Sequence, residues 1–182
     1  MAVGLGSDPR DCIACGINPD ERAKRMEEGV QVMRKLWAGA NVSHEGKFYK
    51  FENVTIEPRP AKGHLDVWIG GKSDLAIKRT ARYGDGWFPS FVTPEEFHDG
   101  MVKLKEYGKQ YNRGINPREA GVLIFTHISD NRSRAQEAVQ KFFAGFPAVA
   151  ESMPARCAIG SAQECIEKVQ SYVDAGCSKF VL

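Results

Sequence analysis

No run of apolar residues in this 182-residue chain approaches the roughly 18 needed to cross a bilayer, so no membrane span is expected. Residues 1–8 lack the basic end and long apolar stretch of a signal peptide. An excess of charge of one sign is also missing, because 25 basic residues face 23 acidic ones for a net +2. That balance gives neither nucleic acid nor an anionic membrane a reason to bind. The basic cluster Arg22, Lys24, Arg25, Arg34 and Lys35 is interleaved with Glu21, Glu27 and Glu28, and reads as a solvated helix face. Cysteine is scarce and odd in number, five in all, which excludes a closed disulfide set and points to reduced thiols in a cytoplasm. Cys12 and Cys15 form a C-x-x-C pair in what reads as a polar loop. Cys157, Cys165 and Cys177 are too scattered to supply a second pair, so no metal site is expected. No G-x-G-x-x-G follows a strand, so a dinucleotide-binding fingerprint is absent.

What is present is enough for a core: 42% hydrophobic residues with 26% charged. Residues 2–6 read as the end of a buried strand. Asn18-Pro19-Asp20-Glu21 then opens a helix with a capping-box pattern, and Met26, Val30, Met33 and Trp37 form its apolar stripe. Residues 41–60, with Glu45-Gly46 as a turn, read as a hairpin-like insertion closed by Pro58-Arg59-Pro60. Beyond it, strands and helices alternate. Strands are expected at 67–69, 86–89, 121–128 and 179–182. Helices are expected at about 73–83, from Thr93-Pro94-Glu95-Glu96, at 133–144 with Ala135, Ala138, Val139 and Phe142 inward, and from Ser161-Ala162-Gln163-Glu164 with Ile166, Val169 and Val173 as its stripe. The stretch containing Pro147 and Pro154 reads as irregular. Repeated βα units with crossover helices demand a parallel sheet, in an open doubly wound arrangement or a barrel.

The most informative local feature is Ile69-Gly70-Gly71-Lys72-Ser73, a strand end turning into a helix. Two glycines let backbone approach a ligand closely, and a helix start offers unpaired N–H groups to an anion. Lys72 and the Ser73 hydroxyl add a charge and a donor. A tight βα turn whose glycines satisfy only geometry would look the same.

With its neighbours, this segment resembles a known family. Trp68-Ile69-Gly70-Gly71-Lys72-Ser73, followed by Ala81-Arg82-Tyr83-Gly84-Asp85-Gly86-Trp87, is similar to the W-I-G-G-x-S…A-R-x-G-D-G-W signature of luciferase-like monooxygenases. Val3-Gly4-Leu5-Gly6 resembles that family's fourth-strand segment, and Arg22, Glu28 and Leu36-Trp37 resemble its R…E…L-W helix. Glu45-Gly46-Lys47-Phe48-Tyr49 and the Pro58-Arg59-Pro60 that follows resemble its hairpin insertion, and Ile159-Gly160-Ser161 through Ala175-Gly176 resembles its last βα element.

The resemblance implies an incomplete TIM-type (β/α) barrel, about five parallel strands corresponding to strands four to eight, in one partial domain with the insertion at 41–60. It implies an oxidoreductase that uses reduced FMN or a deazaflavin to oxidise or reduce a small organic substrate, with the cofactor phosphate on Gly70, Gly71, Lys72 and Ser73. The alternative is a non-catalytic half-barrel remnant acting as an oligomeric binding module. Trp87, at the end of the next strand, is a candidate for the substrate pocket or for the core. His127 is a second pocket candidate or a structural histidine. His44, His64 and His98 are assigned nothing. The family's front strands, which usually carry its catalytic histidine, do not fall within these residues, so no catalytic residue is carried over. Exposed strand edges at 2–6 and 179–182, with Met26, Val30 and Met33 bare at the gap, predict a homo-oligomer, most simply a dimer.

Overall fold

The computed structural model describes residues 1–6, 8–145 and 151–182. Pro147 of the irregular stretch lies outside the described residues. Five parallel strands follow one another in chain order: β1 (Ala2–Val3), β4 (Trp68–Ile69), β5 (Gly86–Trp87), β6 (Gly121–Leu123) and β9 (Lys179–Val181). β1 pairs with β4 and β4 with β5. Parallel bridges Trp87–Ala120 and Ser90–Leu123 join β5 to β6, and β6 pairs with β9. This is a parallel wall of the barrel type, with the hairpin β2 (Val42–Glu45) and β3 (Lys50–Val54) standing apart as an antiparallel pair.

Alternation in the strands sorts the side chains onto two faces. Ile69, Trp87 and Val122 turn to the helices, whereas Trp68 and Phe88 turn the other way and meet at 5.7 Å, with the Lys179 ammonium 4.3 Å over the Trp68 ring. On the helical face, α2 (Arg22–Ala38) covers β1 and β4 through Val30 and Trp37. Helices α3 (Asp74–Tyr83), α4 (Pro94–Gln110) and α6 (Ala162–Asp174) enclose the main core, where Trp87, Phe97, Leu104, Val122, Ile124 and Tyr172 are almost fully buried. Met26, Val30 and Met33 are therefore packed and not bare at a gap; Val30 is wholly buried.

Local chemistry explains most helix starts. Thr93 and Ser161 each accept from the backbone N–H three residues on, while Glu96 and Glu164 reach back to complete the box. At Asn18 the expected box does not form. The Asn18 side chain caps a short 3₁₀ turn at Pro19–Glu21, and Glu21 instead pairs with Lys47 at 2.7 Å. Cys12 and Cys15 also differ from expectation: Cys12 lies on a six-residue helix, α1 (Pro9–Ala14), whose C-cap is Cys15.

The segment 121–128 is not one strand. After β6 the chain continues as β7 (Thr126–Ile128), which pairs with β8 (Ala158–Gly160), a strand inside the stretch that reads as irregular. Between them runs α5 (Arg132–Phe142). This β7–α5–β8 excursion extends beyond the C-terminal end of β6 and has its own small core of Val139, Phe143, Met153 and Cys157 against Phe91, Phe125 and Ile159. Phe143 is the inward ring, and Phe142, expected inside, is 69% exposed. In α6 likewise, Cys165 and Tyr172 are buried while Ile166 and Val173 are exposed, because the helix packs through the stripe one residue back.

Candidate functional site: the turn after β4

β4 ends at Ile69, and the chain turns into α3 through Gly70, Gly71, Lys72 and Ser73. Gly71 sits at φ +99, and a Cβ there would lie 2.9 Å from the Ala76 methyl. Valine is thus excluded at this position on backbone and on space. A Cβ on Gly70 would crowd the Phe88 carbonyl oxygen at 3.3 Å and make ordinary contact with that of Val3 at 3.6 Å. Ser73 is the N-cap of α3, its hydroxyl accepting from Ala76 N–H at 3.2 Å. The N–H groups of the first turn, at Asp74 and Leu75, have no carbonyl ahead of them in the helix. They form an electropositive cradle at the C-terminal end of a strand, where barrel enzymes bind their ligands.

Charges of both signs surround the turn: Lys72, Lys78 and Lys103 are balanced by Asp74, Glu96 and Asp99. Asp74, the residue after the N-cap, carries a carboxylate to which the Tyr107 hydroxyl donates at 2.6 Å and with which Lys78 pairs at 2.9 Å. These two partners, the hydroxyl first, hold its carboxyl below the usual value while tying up its charge. Lys72 is exposed, and its ammonium rests on the Phe91 carbonyl oxygen at 2.9 Å. From Lys72 and Ser73 a groove of about 460 Å³ runs along α4, lined by Ile77, Val92, Asp99, Gly100 and Lys103 among others.

Trp87 is joined to the turn from behind. Its indole N–H donates to the Gly71 carbonyl at 2.9 Å, while the ring stacks on Phe97 at 5.2 Å and is 1% exposed. The structure therefore brings Gly70, Gly71, Lys72, Ser73 and Trp87 together. His127 is placed elsewhere, exposed on β7, beside a cavity of about 180 Å³ between that strand and α5. One residue links the two places. Phe91 has φ +57, unusual for a bulky side chain. Its carbonyl accepts from Lys72 and from Arg156 Nε at 2.9 Å each, and its ring stacks on Phe125 at 5.4 Å. Nothing in the local sequence signals that conformation.

Two further networks escape a reading by sequence. Asp85 of the G-D-G-W motif accepts from Arg34 of α2 at 2.5 Å, from Val67 N–H at 2.9 Å and from Arg113 at 3.4 Å, so its role is to tie helix, strand and loop. His44 is not an idle surface histidine: its ring lies 3.1 Å from Glu28 and 3.2 Å from Lys35, and fastens the hairpin to α2. The buried thiols Cys157 and Cys177 are pushed up to about 11 by burial, which keeps them protonated and inert at neutral pH. Among the described residues no cluster of three or more His, Cys, Asp or Glu side chains is arranged to hold a metal, and no helix is long and apolar enough to cross a membrane. A cavity of about 610 Å³ lies between α4 and the end of α6. Its lining residues Arg113–Ile115 and Asp174–Gly176 precede β6 and β9, which puts it at the N-terminal ends of the strands, away from the turn.

Known proteins share this architecture. The F420-dependent secondary alcohol dehydrogenase solved with an F420-acetone adduct superposes with a TM-score of 0.86 at 20% identity, over all of this chain and 62% of that one. The FMNH(2)-dependent dimethylsulfone monooxygenase of Pseudomonas fluorescens is 36% identical over 117 residues, 64% of this chain and 31% of that protein. The F420-dependent glucose-6-phosphate dehydrogenase of Mycolicibacterium gilvum is 29% identical over 135 residues, 71% of this chain and 39% of that protein. The chain thus spans less than half the length of these two curated relatives. The sequence model of the luciferase-like monooxygenases matches residues 1–156, and the chain belongs to that family.

Proposed function

We propose that this chain carries the phosphate end of the cofactor site of an oxidoreductase that uses reduced FMN or the deazaflavin F420 to oxidise or reduce a small organic molecule. The observation that carries the reading is the turn at 70–73, where a glycine at φ +99 and a capped helix start face the C-terminal ends of the strands. The names of relatives in both cofactor classes support it. When bound, either cofactor supplies the hydride or oxygen-activating chemistry. The chain's own residues bind and orient. Gly70 and Gly71 keep side chains out of the cradle, the Ser73 hydroxyl and the first-turn N–H groups donate, and Lys72 adds a positive charge on leaving the Phe91 carbonyl. Trp87 fixes the Gly71 carbonyl and so the direction of the turn. His127 faces the substrate from the excursion.

Ser73→Asp tests this assignment. Aspartate caps a helix as well as serine does, so α3 keeps its start while a negative charge enters the cradle. Affinity for FMN and for F420 should fall at least about tenfold, or roughly 1.4 kcal/mol, with the melting temperature unchanged. Titrations that match the parent for both cofactors would remove the turn from the site.

The free thiols fit a reducing cytoplasm. The same reading includes self-association. A second copy would cover apolar side chains that stand exposed on the helices, Leu75, Val102 and Ile166 among them. Light scattering at tens of micromolar protein should give a dimer's mass, and a monomer would exclude it.

A further inference from the structure

The excursion β7–α5–β8 carries an aromatic cluster whose job the phosphate turn does not explain. Phe125 lies 5.4 Å from Phe91, 5.4 Å from Phe142 and 5.0 Å from Phe143, and Phe142 lies 4.9 Å from Phe143. These separations fall in the range that aromatic pairs prefer. A folded protein gains little by leaving the outermost ring in water, yet Phe142 is 69% exposed. Beneath it lies the cavity of about 180 Å³, walled by Phe125, Ala138, Phe142 and Phe143, with His127 at one side. Among the described lining residues there is no carboxylate, ammonium or guanidinium group. An apolar cavity of about 150 Å³ is already large enough for benzene.

We infer that this cavity is the substrate subsite, and that it takes an uncharged single ring, or a branched chain of similar bulk, bearing one oxygen that hydrogen-bonds to His127. The inference rests on the proposed oxidoreductase reading and narrows its substrate class. Three physical points support it. The volume admits one ring and not two. The walls offer ring faces and edges at the spacing the cluster already uses, so an entering ring extends an existing stack. Finally, no lysine, arginine or acidic side chain among the described lining residues offers a charged group an ion pair, whereas a single neutral oxygen needs only one partner, the His127 ring. Through Phe91 the subsite is also coupled to the cofactor turn, since the residue that stacks on Phe125 holds Lys72 by its carbonyl.

Saturation-transfer NMR on the whole chain, with benzaldehyde, toluene and benzoate as probes and FMN titrated into the same samples, tests the idea. Benzaldehyde should bind more tightly than benzoate, because its ring and single oxygen match the walls and His127 while the carboxylate finds no lysine or arginine there. Ala138→Phe fills the cavity and should abolish transfer to benzaldehyde. Phe142→Ala removes a ring that is mostly in water, leaves the fold intact, and should weaken benzaldehyde by about threefold to tenfold, the value of one aromatic contact. His127→Ala should erase the preference for benzaldehyde over toluene. Transfer that survives Ala138→Phe and Phe142→Ala unchanged, or benzoate binding as tightly as benzaldehyde, would overturn the subsite. FMN binding without any ring ligand would leave the cofactor assignment standing and reject the subsite alone. Ring binding without FMN or F420 binding would do the reverse.

Discussion

Trp87 and Phe142 are both large aromatic side chains near the C-terminal ends of the strands, yet one is 1% exposed and the other 69%. Trp87 belongs to the wall. There α3, α4 and α6 close over β5 and β6, every neighbour is fixed, and Gly100 is a glycine because any Cβ would run into the indole. Phe142 belongs to the excursion, which pairs only two short strands and packs one helix over a small core. The contrast separates two tasks. The wall sets the position of the turn at 70–73, and its aromatics are spent on packing. The excursion holds aromatics in a partly open cluster beside a cavity, as expected of residues that meet a ligand on a rigid scaffold.

Substitutions can break or sharpen that contrast. The largest effect is expected at Gly86, in the wall, where a Cβ would overlap the Glu119 carbonyl oxygen and crowd the Trp68 indole. Backbone cannot step aside as a side chain can. Gly86→Ala should cost about 3 kcal/mol in urea unfolding, the upper end for overpacking. A loss under about 1 kcal/mol would show the wall to be more pliant than its packing suggests.

Tyr172 comes next, because it joins the two regions. Its buried hydroxyl donates to the Val92 carbonyl at 2.6 Å, next to Phe91, and lies 3.4 Å from the carbonyl of Arg156, just before β8 of the excursion. Tyr172→Phe leaves the Val92 oxygen without its donor and should cost about 2 kcal/mol. Hydrogen exchange should accelerate in α5 and β8 more than in α3. Uniform acceleration would mean that wall and excursion unfold as one unit.

A smaller, pH-dependent effect is expected at the hairpin. Burial pushes the Glu28 carboxyl up, but the N–H of Tyr49, the His44 ring and the N–H of Phe48 outweigh it and hold the group below its ordinary 4.5. A carboxyl depressed on folding stabilises the folded form above its unfolded value, and that contribution is lost as pH falls through the folded value. Protection of the Phe48 and Tyr49 amides should therefore drop once pH goes below 4.5, and Glu28→Gln should flatten the dependence. The smallest effect belongs to Cys12 and Cys15, one half-buried and one exposed. Replacing both with serine should shift stability by less than about 0.5 kcal/mol and leave metal content unchanged. Stoichiometric zinc lost in the double variant would contradict this.

Much of the architecture is legible in the residues because it is written in local or periodic signals. The five wall strands, the hairpin, the capping boxes at Thr93 and Ser161, and the turn at 70–73 all follow from glycine placement, caps and apolar spacing. The failures share a cause as well. Periodicity identifies an apolar stripe but not which of two adjacent stripes a neighbour will cover, so Phe142 and Phe143 exchange roles, as do Ile166 and Cys165. A three-residue strand such as Ala158–Gly160 exists only because β7 is there to pair with it.

Sequence alone therefore determined the alternation of strands and helices, the parallel sheet it requires, and the glycine turn at 70–73 that opens α3. Each depends on a few neighbouring residues. The tertiary structure decided which side chains those elements share. It placed Trp87 behind Gly71, the Phe91 carbonyl between Lys72 and Arg156, Asp85 between two arginines, and His127 beside a ring-sized cavity. Those contacts join residues tens of positions apart. Only the packing of the whole chain sets their distances.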